Sequence, residues 1–251
     1  MQVLGHRGAR LVAPENTIEA FHAALDEGAD GVELDVRQTA DGALVCFHDA
    51  ALGRTTDGRG LLRERPLAEV RALDAGASPR RPDARRFRGV RVPTLAEALD
   101  ALPPGALVDV EVKARGEGPQ GPKDVAAALA AVLAGRGDSG RVMVSSFSRR
   151  MAAAAAAELP GIRTGLVSPS FVPLGRALRT AEGAGCSVLA AHVTAYFGPK
   201  AKAAARRAQA EGILLLAWTV DDPQTVRRLA DLGVAVVVSD HPGRLASSLR
   251  G

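Results

Sequence analysis

The residues best suited to chemistry in this chain are two carboxylates, Glu33 and Asp35, in the apolar segment 31–37. In an extended strand, side chains two positions apart point to the same face, so the two carboxylates share one small volume. Leu34 and Val36 then point to the opposite face, where they can be buried. Because like charges repel at close range unless a cation or a proton lies between them, this spacing indicates a hard metal ion or a carboxyl group with a shifted pKa.

The segment that follows carries a histidine back to these carboxylates. Only a short stretch around Asp41 separates the first strand from the next apolar run, 43–48, whereas a parallel neighbour needs a crossover of about a dozen residues or more. The second run must therefore return antiparallel, and an Asp-Gly pair is a frequent hairpin turn. With the turn near Asp41, positions whose numbers sum to roughly 82 face each other, which places His48 beside Glu33 and Asp35.

The composition limits the class of protein. A chain of 251 residues with 47% hydrophobic and 24% charged residues can bury a large core, and we expect one domain, 1–251. Cys46 and Cys186 lie in separate apolar runs and are interpreted as buried thiols. A strand already begins within residues 1–6, and the apolar runs are too short or too weak to cross a bilayer. We therefore expect a cytoplasmic protein without a secretion signal or stable membrane insertion.

Basic residues are concentrated in one part of the chain. The net charge is +4 and the isoelectric point is about 9.6. Several arginines crowd one proline-containing loop: Arg80, Arg81, Arg85, Arg86, Arg88 and Arg91. We interpret this loop either as a solvated surface or as an attraction for an anionic substrate. Because only 3% of the residues are aromatic, there is no stacking platform for single-stranded nucleic acid, and no nucleic-acid partner is expected.

Strand and helix patterns alternate along the chain. Short apolar runs predict strands at 3–6, 31–37, 43–48, 107–113, 141–145, 163–167, 187–191, 213–220 and 234–239. Helical periodicity and capping signals predict helices that include 67–73, 94–102, 122–133, 174–184, 199–211 and 223–232. Asn16 is the predicted N-cap of the first helix, with Glu19 at the third helical position, and it is also a candidate residue of the pocket.

Eight of these strands fit one architecture. The hairpin strand 43–48 has no helix before it, which leaves eight strands that are usually followed by a helix. Eight parallel units in about 250 residues are typical of the (β/α)8 barrel, whose active site lies at the carboxyl ends of the strands. We expect an irregular TIM barrel of the α/β class, with an extra β-hairpin strand and an inserted segment at about 50–92 over the site. Polar side chains cluster at those strand ends: His6, Arg7, Glu33, Asp35, Glu111, Lys113, Ser145, Ser146, Trp218, Ser239 and Asp240.

Short motifs are spread along nearly the whole chain. They are His6-Arg7-Gly8, Pro14-Glu15-Asn16-Thr17, Glu33-x-Asp35, His48-Asp49, Arg54-Thr55-Thr56-Asp57-Gly58, Pro93-Thr94-Leu95, Glu111-x-Lys113, Ser145-Ser146-Phe147, Trp218-Thr219-Val220 and Ser239-Asp240-His241-Pro242. In this order the motifs resemble the glycerophosphodiester phosphodiesterase family, with serine where the family's closing motif has threonine. The resemblance implies a metal-dependent phosphodiesterase on an irregular barrel.

The resemblance also implies a role for each of several side chains: Glu33, Asp35 and Glu111 as cation ligands, His6 and His48 as acid and base, and Arg7 and Lys113 as phosphate ligands. The residue types agree with this chemistry. An oxygen-only site of three carboxylates suits a divalent cation such as Ca²⁺ or Mg²⁺, and two imidazoles can take and give protons near neutral pH. Trp218 is expected either to form a wall of the substrate site or to pack in the core with its indole N–H bonded.

The leading hypothesis is an enzyme that hydrolyses small-molecule glycerophosphodiesters to glycerol 3-phosphate and an alcohol. Two alternatives stay open at this point. One is a phosphodiesterase for a lysophospholipid, although the arginine-rich, aromatic-poor segment 50–92 favours a water-soluble headgroup. The other is a phosphate-binding barrel without hydrolytic activity. The spacing assigns neither histidine to the acid or the base role, and it fixes no oligomeric state.

Overall fold

The computed structural model describes residues 1–77, 84–113 and 121–250. Its strands are β1 (Gln2–His6), β2 (Gly31–Gln38), β3 (Leu44–Cys46), β4 (Leu107–Val112), β5 (Val142–Ser146), β6 (Arg163–Ser168), β7 (Val188–His192), β8 (Leu214–Trp218) and β9 (Val236–Ser239). Its α-helices are α1 (Ile18–Asp26), α2 (Leu67–Ala72), α3 (Leu95–Ala101), α4 (Pro122–Leu133), α5 (Arg149–Glu158), α6 (Leu174–Glu182), α7 (Ala201–Ala210), α8 (Pro223–Asp231) and α9 (Pro242–Arg250).

Eight of the strands form a closed parallel barrel. The sheet order is β1-β9-β8-β7-β6-β5-β4-β2, and β1 also pairs with β2, which closes the ring. The remaining strand, β3, lies outside the ring and pairs antiparallel with β2. The predicted irregular (β/α)8 barrel with an extra hairpin strand is therefore confirmed.

The hairpin has the register that its turn predicts. Val36 faces Cys46, and Gln38 faces Leu44. β3 is shorter than the predicted strand 43–48, because β1 already occupies the same edge of β2 as far as Glu33 and leaves β3 only the end of that edge. Beyond Cys46, the N–H of Phe47 still donates to the carbonyl of Asp35 at 2.9 Å.

The interior of the barrel is acidic on one side and apolar on the other. β2 and β4 lie in a register that sets Glu33 beside Asp109 and Asp35 beside Glu111. A small cavity between the strands is lined on its other side by apolar residues of β6 to β9, namely Val167, Ala190, Leu216, Trp218 and Val238. The parallel sheet thus concentrates buried carboxylates on two neighbouring strands.

Most of the predicted helix starts are present, but the first cap is different. Thr94 and Glu97 form the predicted capping box of α3. The N-cap of α1 is Thr17, whose hydroxyl accepts from the N–H of Ala20, so the prediction of Asn16 as the cap is wrong. Asn16 has a left-handed backbone conformation with φ of 59°, which turns its side chain away from the helix and toward β2.

The segment after β3 packs against the hairpin. It contains two short 3₁₀ turns, Leu52–Arg54 and Leu62–Glu64, followed by α2. Their apolar side chains form a cluster with residues of the hairpin and of the segment before α3: Val45, Phe47, Leu52, Leu62, Val70, Ala75 and Val92. The segment therefore adjoins the place where the chain leaves β3.

Two sequence expectations concern single features of the described chain. Cys46 and Cys186 are free and buried, as predicted. Over residues 1–77, 84–113 and 121–250, no helix has the length and apolar character needed to cross a membrane.

Candidate active site

His6 ends β1 and is held by a carboxylate from the far end of the chain. Its Nδ1 lies 2.6 Å from Oδ1 of Asp240, and its Nε2 lies 4.0 Å from Oε2 of Glu33. Asp240 follows β9, which pairs with β1, so closure of the barrel brings the two residues together. Burial opposes ionisation of Asp240, but hydrogen bonds from His6 and Arg10 hold its pKa well below the usual range. An ionised Asp240 therefore accepts the Nδ1–H of His6.

The residues after His6 form a tight turn that aims Arg7 at the carboxylates. Arg7 has φ of 58° and Gly8 has φ of 76°, and a Cβ on Gly8 would lie 2.5 Å from the backbone of Ala20. Only glycine fits there. The N–H of Arg7 donates to Oε2 of Glu33 at 3.0 Å, and its Nε lies 3.1 Å from Oδ2 of Asp35.

Glu33, Asp35 and Glu111 form a compact buried cluster in which one oxygen of each lies within 4.8 Å of the others. Burial and the neighbouring carboxylates raise the pKa of Glu33 well above its usual value. Burial, followed by the charge of Asp35, raises the pKa of Glu111 to about 7. Burial also acts against ionisation of Asp35, but Lys113 and Arg7 keep its pKa far below the ordinary range. The positive charges of Lys113 and Arg7 therefore do not fully neutralise the three carboxylates.

These carboxylates fit a hard divalent cation. Among the described residues, Oε1 of Glu33 has no hydrogen-bond partner although it is buried. Lys113 meets part of the remaining demand, since its Nζ lies 2.9 Å from Oδ1 of Asp35 and 2.5 Å from Oε1 of Glu111. An oxygen-only donor set with an unsatisfied buried oxygen is the chemistry that Ca²⁺ and Mg²⁺ prefer.

Asn16 supports this cluster. Its Nδ2 donates to Oδ2 of Asp35 at 2.8 Å, and its Oδ1 accepts from the N–H of Asp35 at 3.0 Å. The two bonds fix both the backbone and the carboxylate of Asp35. Of the two roles that the sequence allows for Asn16, a helix cap and a pocket residue, the structure shows contact with the carboxylate cluster.

His48 lies beyond β3 on the other side of the cluster. Its Nδ1 lies 2.6 Å from Oδ1 of Asp49, and its carbonyl accepts from Nε of Arg37 at 2.8 Å. Burial lowers the pKa of His48, while the charge of Asp35 opposes that shift. Burial disfavours ionisation of Asp49, but hydrogen bonds from Arg54 and His48 lower its pKa to about 2. His48 is therefore a neutral imidazole beside an ionised carboxylate at neutral pH.

Open space lies on both sides of the carboxylates. A cleft of about 280 Å³ is lined by Arg37, His48, Glu111, Val112, Lys113, Ser146, Phe147 and Ser148. On the other side, Trp218 shares a smaller cavity with His6 and Glu33. The indole Nε1 of Trp218 donates to the carbonyl of Ala190 at 3.2 Å, and its half-buried ring meets the rings of Phe147 and His192 edge to face.

Several residues of the site received no role from the sequence. Asp240, Asp49, Glu15 and Arg54 hold the two histidines and Arg7 through ion pairs. All four belong to the motifs that carry the family resemblance, and Asp49 follows its histidine directly, which is a readable signal. In the predicted arginine cluster, Arg85, Arg86, Arg88 and Arg91 are exposed, whereas Arg80 and Arg81 lie outside the described residues.

Comparison with known proteins gives one consistent family. A family model described as the glycerophosphoryl diester phosphodiesterase family matches residues 6–244. A glycerophosphodiester phosphodiesterase of Caldanaerobacter subterraneus subsp. tengcongensis is 32% identical, over 99% of this chain and 97% of the relative. One from Bacillus subtilis is 31% identical, over 95% and 83%. The structure of an Oleispira antarctica phosphodiesterase in complex with the product sn-glycerol-3-phosphate aligns with a TM-score of 0.85 and 31% identity, over 100% and 97%.

The family match over residues 6–244 includes both histidines, the three carboxylates of the cluster and Asp240, so it covers the whole site. The alternative of a phosphate-binding barrel without hydrolytic activity is therefore rejected. The chain belongs to the glycerophosphoryl diester phosphodiesterase family and is an enzyme with glycerophosphodiester phosphodiesterase activity.

Proposed function

We propose that this enzyme hydrolyses glycerophosphodiesters to glycerol 3-phosphate and an alcohol, with a carboxylate-bound divalent cation and two histidines as acid and base. The observation that carries the proposal is the buried carboxylate cluster, which reaches His6 through Glu33 and lies within electrostatic range of His48 through Asp35. The similar Oleispira antarctica phosphodiesterase binds sn-glycerol-3-phosphate as its product, which supports the same product here.

Glu33, Asp35 and Glu111 would hold Ca²⁺ or Mg²⁺. When bound, the ion would neutralise negative charge on the phosphate oxygens as the ester bond breaks. The three ligands come from neighbouring strands of a closed barrel, so their spacing is set by the sheet rather than by a loop. A rigid set of this kind is expected to bind the cation before the substrate arrives.

Arg7 and Lys113 would hold the phosphate. Their side chains are only 11% and 13% exposed, and charges act more strongly in such surroundings than in water. Both already contact the carboxylates that would bind the cation. An anionic phosphate placed at the cluster would therefore meet positive charge from the ion and from these two side chains.

His6 and His48 would move the protons. Each ring donates its Nδ1–H to a carboxylate, which leaves Nε2 as the nitrogen that can take or give a proton. One imidazole would take the proton of the attacking oxygen, and the other would give a proton to the leaving alcohol. The carboxylate behind each ring stabilises the imidazolium form. Trp218 would form an apolar wall beside these groups.

The test combines cation removal with a ligand variant. We expect a chelator to abolish release of glycerol 3-phosphate from glycerophosphocholine and Ca²⁺ or Mg²⁺ to restore it. Glu111→Gln should raise the cation concentration required for half-maximal activity, and calorimetry should show weaker cation binding, because one negative ligand is lost while the shape is kept. Glu69→Gln, which removes an exposed acidic group on α2, is the matched control.

The same assay compares lysophosphatidylcholine with glycerophosphocholine as the substrate. Faster turnover of the lysophospholipid would favour the alternative substrate class. Full activity in chelator, or unchanged cation binding by the Glu111→Gln variant, would contradict the proposed cation site.

A further inference from the structure

Arg54 joins two carboxylates that serve different parts of the site. It ends the 3₁₀ turn Leu52–Arg54, the first element after β3. Its Nε and Nη2 donate to the carboxylate of Asp49 at 2.5 and 3.0 Å. Its Nη1 and Nη2 donate to the two oxygens of Glu15, both at 2.7 Å. The planar guanidinium therefore engages a carboxylate with two hydrogen bonds on each of two edges.

Each of the two carboxylates also contacts a residue of the proposed mechanism. Asp49 accepts the Nδ1–H of His48 at 2.6 Å, and Glu15 accepts from Nη1 of Arg7 at 3.0 Å. Arg54 thus stands at the middle of a chain of ion pairs that runs from the proton-transfer imidazole to the phosphate-binding guanidinium.

The ion pairs of Arg54 are less exposed than ordinary surface ion pairs. The side chains of Arg54 and Glu15 are 27% and 13% exposed, whereas the partners of the pair Arg65 and Glu69, in the same segment, are 45% and 55% exposed. Exposed ion pairs of that kind contribute little to folding stability. Partly buried pairs with two hydrogen bonds per carboxylate hold a defined geometry.

We propose that Arg54 is a positioning residue, which fixes His48 through Asp49 and Arg7 through Glu15. The inference rests on the proposed roles of His48 and Arg7. Without Arg54, the carboxylate of Asp49 is free to turn toward solvent, and His48 loses the acceptor that keeps its proton on Nδ1. Among the described residues, Glu15 then keeps Arg7 as its one ion-pair partner, so the direction of that guanidinium also changes.

The first measurement is a steady-state comparison of variants at saturating cation. We expect Arg54→Gln to lower kcat by about 10- to 100-fold, as removal of supporting partners around a site commonly does, and to raise KM because Arg7 is also released. Arg54→Lys should restore part of kcat, since it keeps the charge but not the two-edged fork. Arg65→Gln is the matched control from the same segment and should leave both constants unchanged.

The second measurement separates positioning from general stabilisation. In the Asp49→Asn background, Arg54→Gln should cost clearly less in kcat than it does in the wild type, because the path to His48 is already broken. The ¹⁵N shifts of His48 should report an Nδ1–H imidazole in the wild type and a mixture of both neutral forms in Arg54→Gln. Thermal melting of every variant reports whether the fold is intact, and Arg54→Lys replaces Arg54→Gln if the latter does not fold.

The outcomes are distinct for the inference and for the proposed function. Wild-type kcat in Arg54→Gln, an equal loss in the Asp49→Asn background, or unchanged ¹⁵N shifts of His48 would overturn the positioning role. Wild-type activity in His48→Ala would instead overturn the proposed function. A costly His48→Ala together with a silent Arg54→Gln therefore rejects the inference alone.

Discussion

The surroundings of His6 and His48 contain the same chemical groups but are built by different parts of the molecule. Each imidazole contacts an aspartate through Nδ1 at 2.6 Å, and each aspartate is paired with an arginine. His6 ends a barrel strand, and its partner Asp240 lies 234 positions away and is delivered by the pairing of β1 with β9. The position of His6 therefore depends on closure of the whole ring.

His48 lies outside the ring, and its partner is the next residue in the chain. Asp49 is held by Arg54, at the end of a 3₁₀ turn, and Arg54 in turn contacts Glu15. The position of His6 is therefore set by the barrel itself, whereas the position of His48 depends on a small network of ion pairs. Changes in the segment after β3 should therefore alter His48 without altering His6.

The largest expected effects test whether both histidines take part in catalysis. His6→Ala and His48→Ala should each lower kcat by about 10² to 10⁴, the usual contribution of positioned proton transfer, with little change in cation affinity measured by calorimetry. His22→Ala is the control, because that exposed ring on α1 bonds to the carbonyl of Ala101, away from the carboxylate cluster. Full turnover in both site variants would remove the acid–base mechanism.

Local features of this site could be predicted from the sequence. The length of the connection around Asp41 fixes the direction and register of the hairpin, which brings His48 back toward the carboxylates. Alternation along β2 sets Glu33 and Asp35 on one face. The number and order of strands give the barrel and the end at which its site lies. These features depend only on separations of a few residues or on the count of repeating units.

The contacts between residues far apart in the sequence could not be assigned in the same way. Asp240 is adjacent to His6 only because the ring closes, although the barrel prediction does place the last strand beside the first. Arg54 and Glu15 meet through side chains 39 positions apart in two irregular segments. The wrong cap at Asn16 has a backbone cause, since a positive φ decides where its side chain points and the sequence does not report that angle.

An intermediate effect should show which aspartate matters more. Asp240→Asn and Asp49→Asn each replace a charged acceptor by a neutral one of the same shape. A hydrogen bond to a charged group contributes about 1.5–3 kcal/mol, which corresponds to a loss of roughly 10- to 150-fold in kcat. We expect the larger loss for Asp240, whose side chain is 16% exposed against 27% for Asp49, because water replaces a lost partner less easily there. A larger loss in Asp49→Asn would reverse the comparison.

The smallest expected effect is a shift in the titration of His48. Burial lowers its pKa, the charges of Arg7 and Lys113 lower it further, and Asp35 and the hydrogen bond to Asp49 oppose the shift. The ring should therefore stay neutral as the pH falls through the ordinary value of about 6.5 and should take up its proton only below it. Because the unfolded chain binds that proton at higher pH, the contribution of His48 to folding stability should decrease as the pH falls below about 6.5.

Side-chain NMR titration of the cation-free protein measures this shift, with the His48 signal identified by its loss in His48→Ala. Lys113→Met should move the pKa of His48 upward, toward the ordinary value, because one of the positive charges that disfavour the imidazolium is removed. Arg65→Gln should leave it unchanged, since that arginine is exposed and pairs with Glu69. A His48 that titrates above 6.5 in the wild type would show that Asp35 and Asp49 outweigh burial and that His48 is held as a proton donor instead. A downward shift in Lys113→Met would contradict the effect assigned to the charge of Lys113.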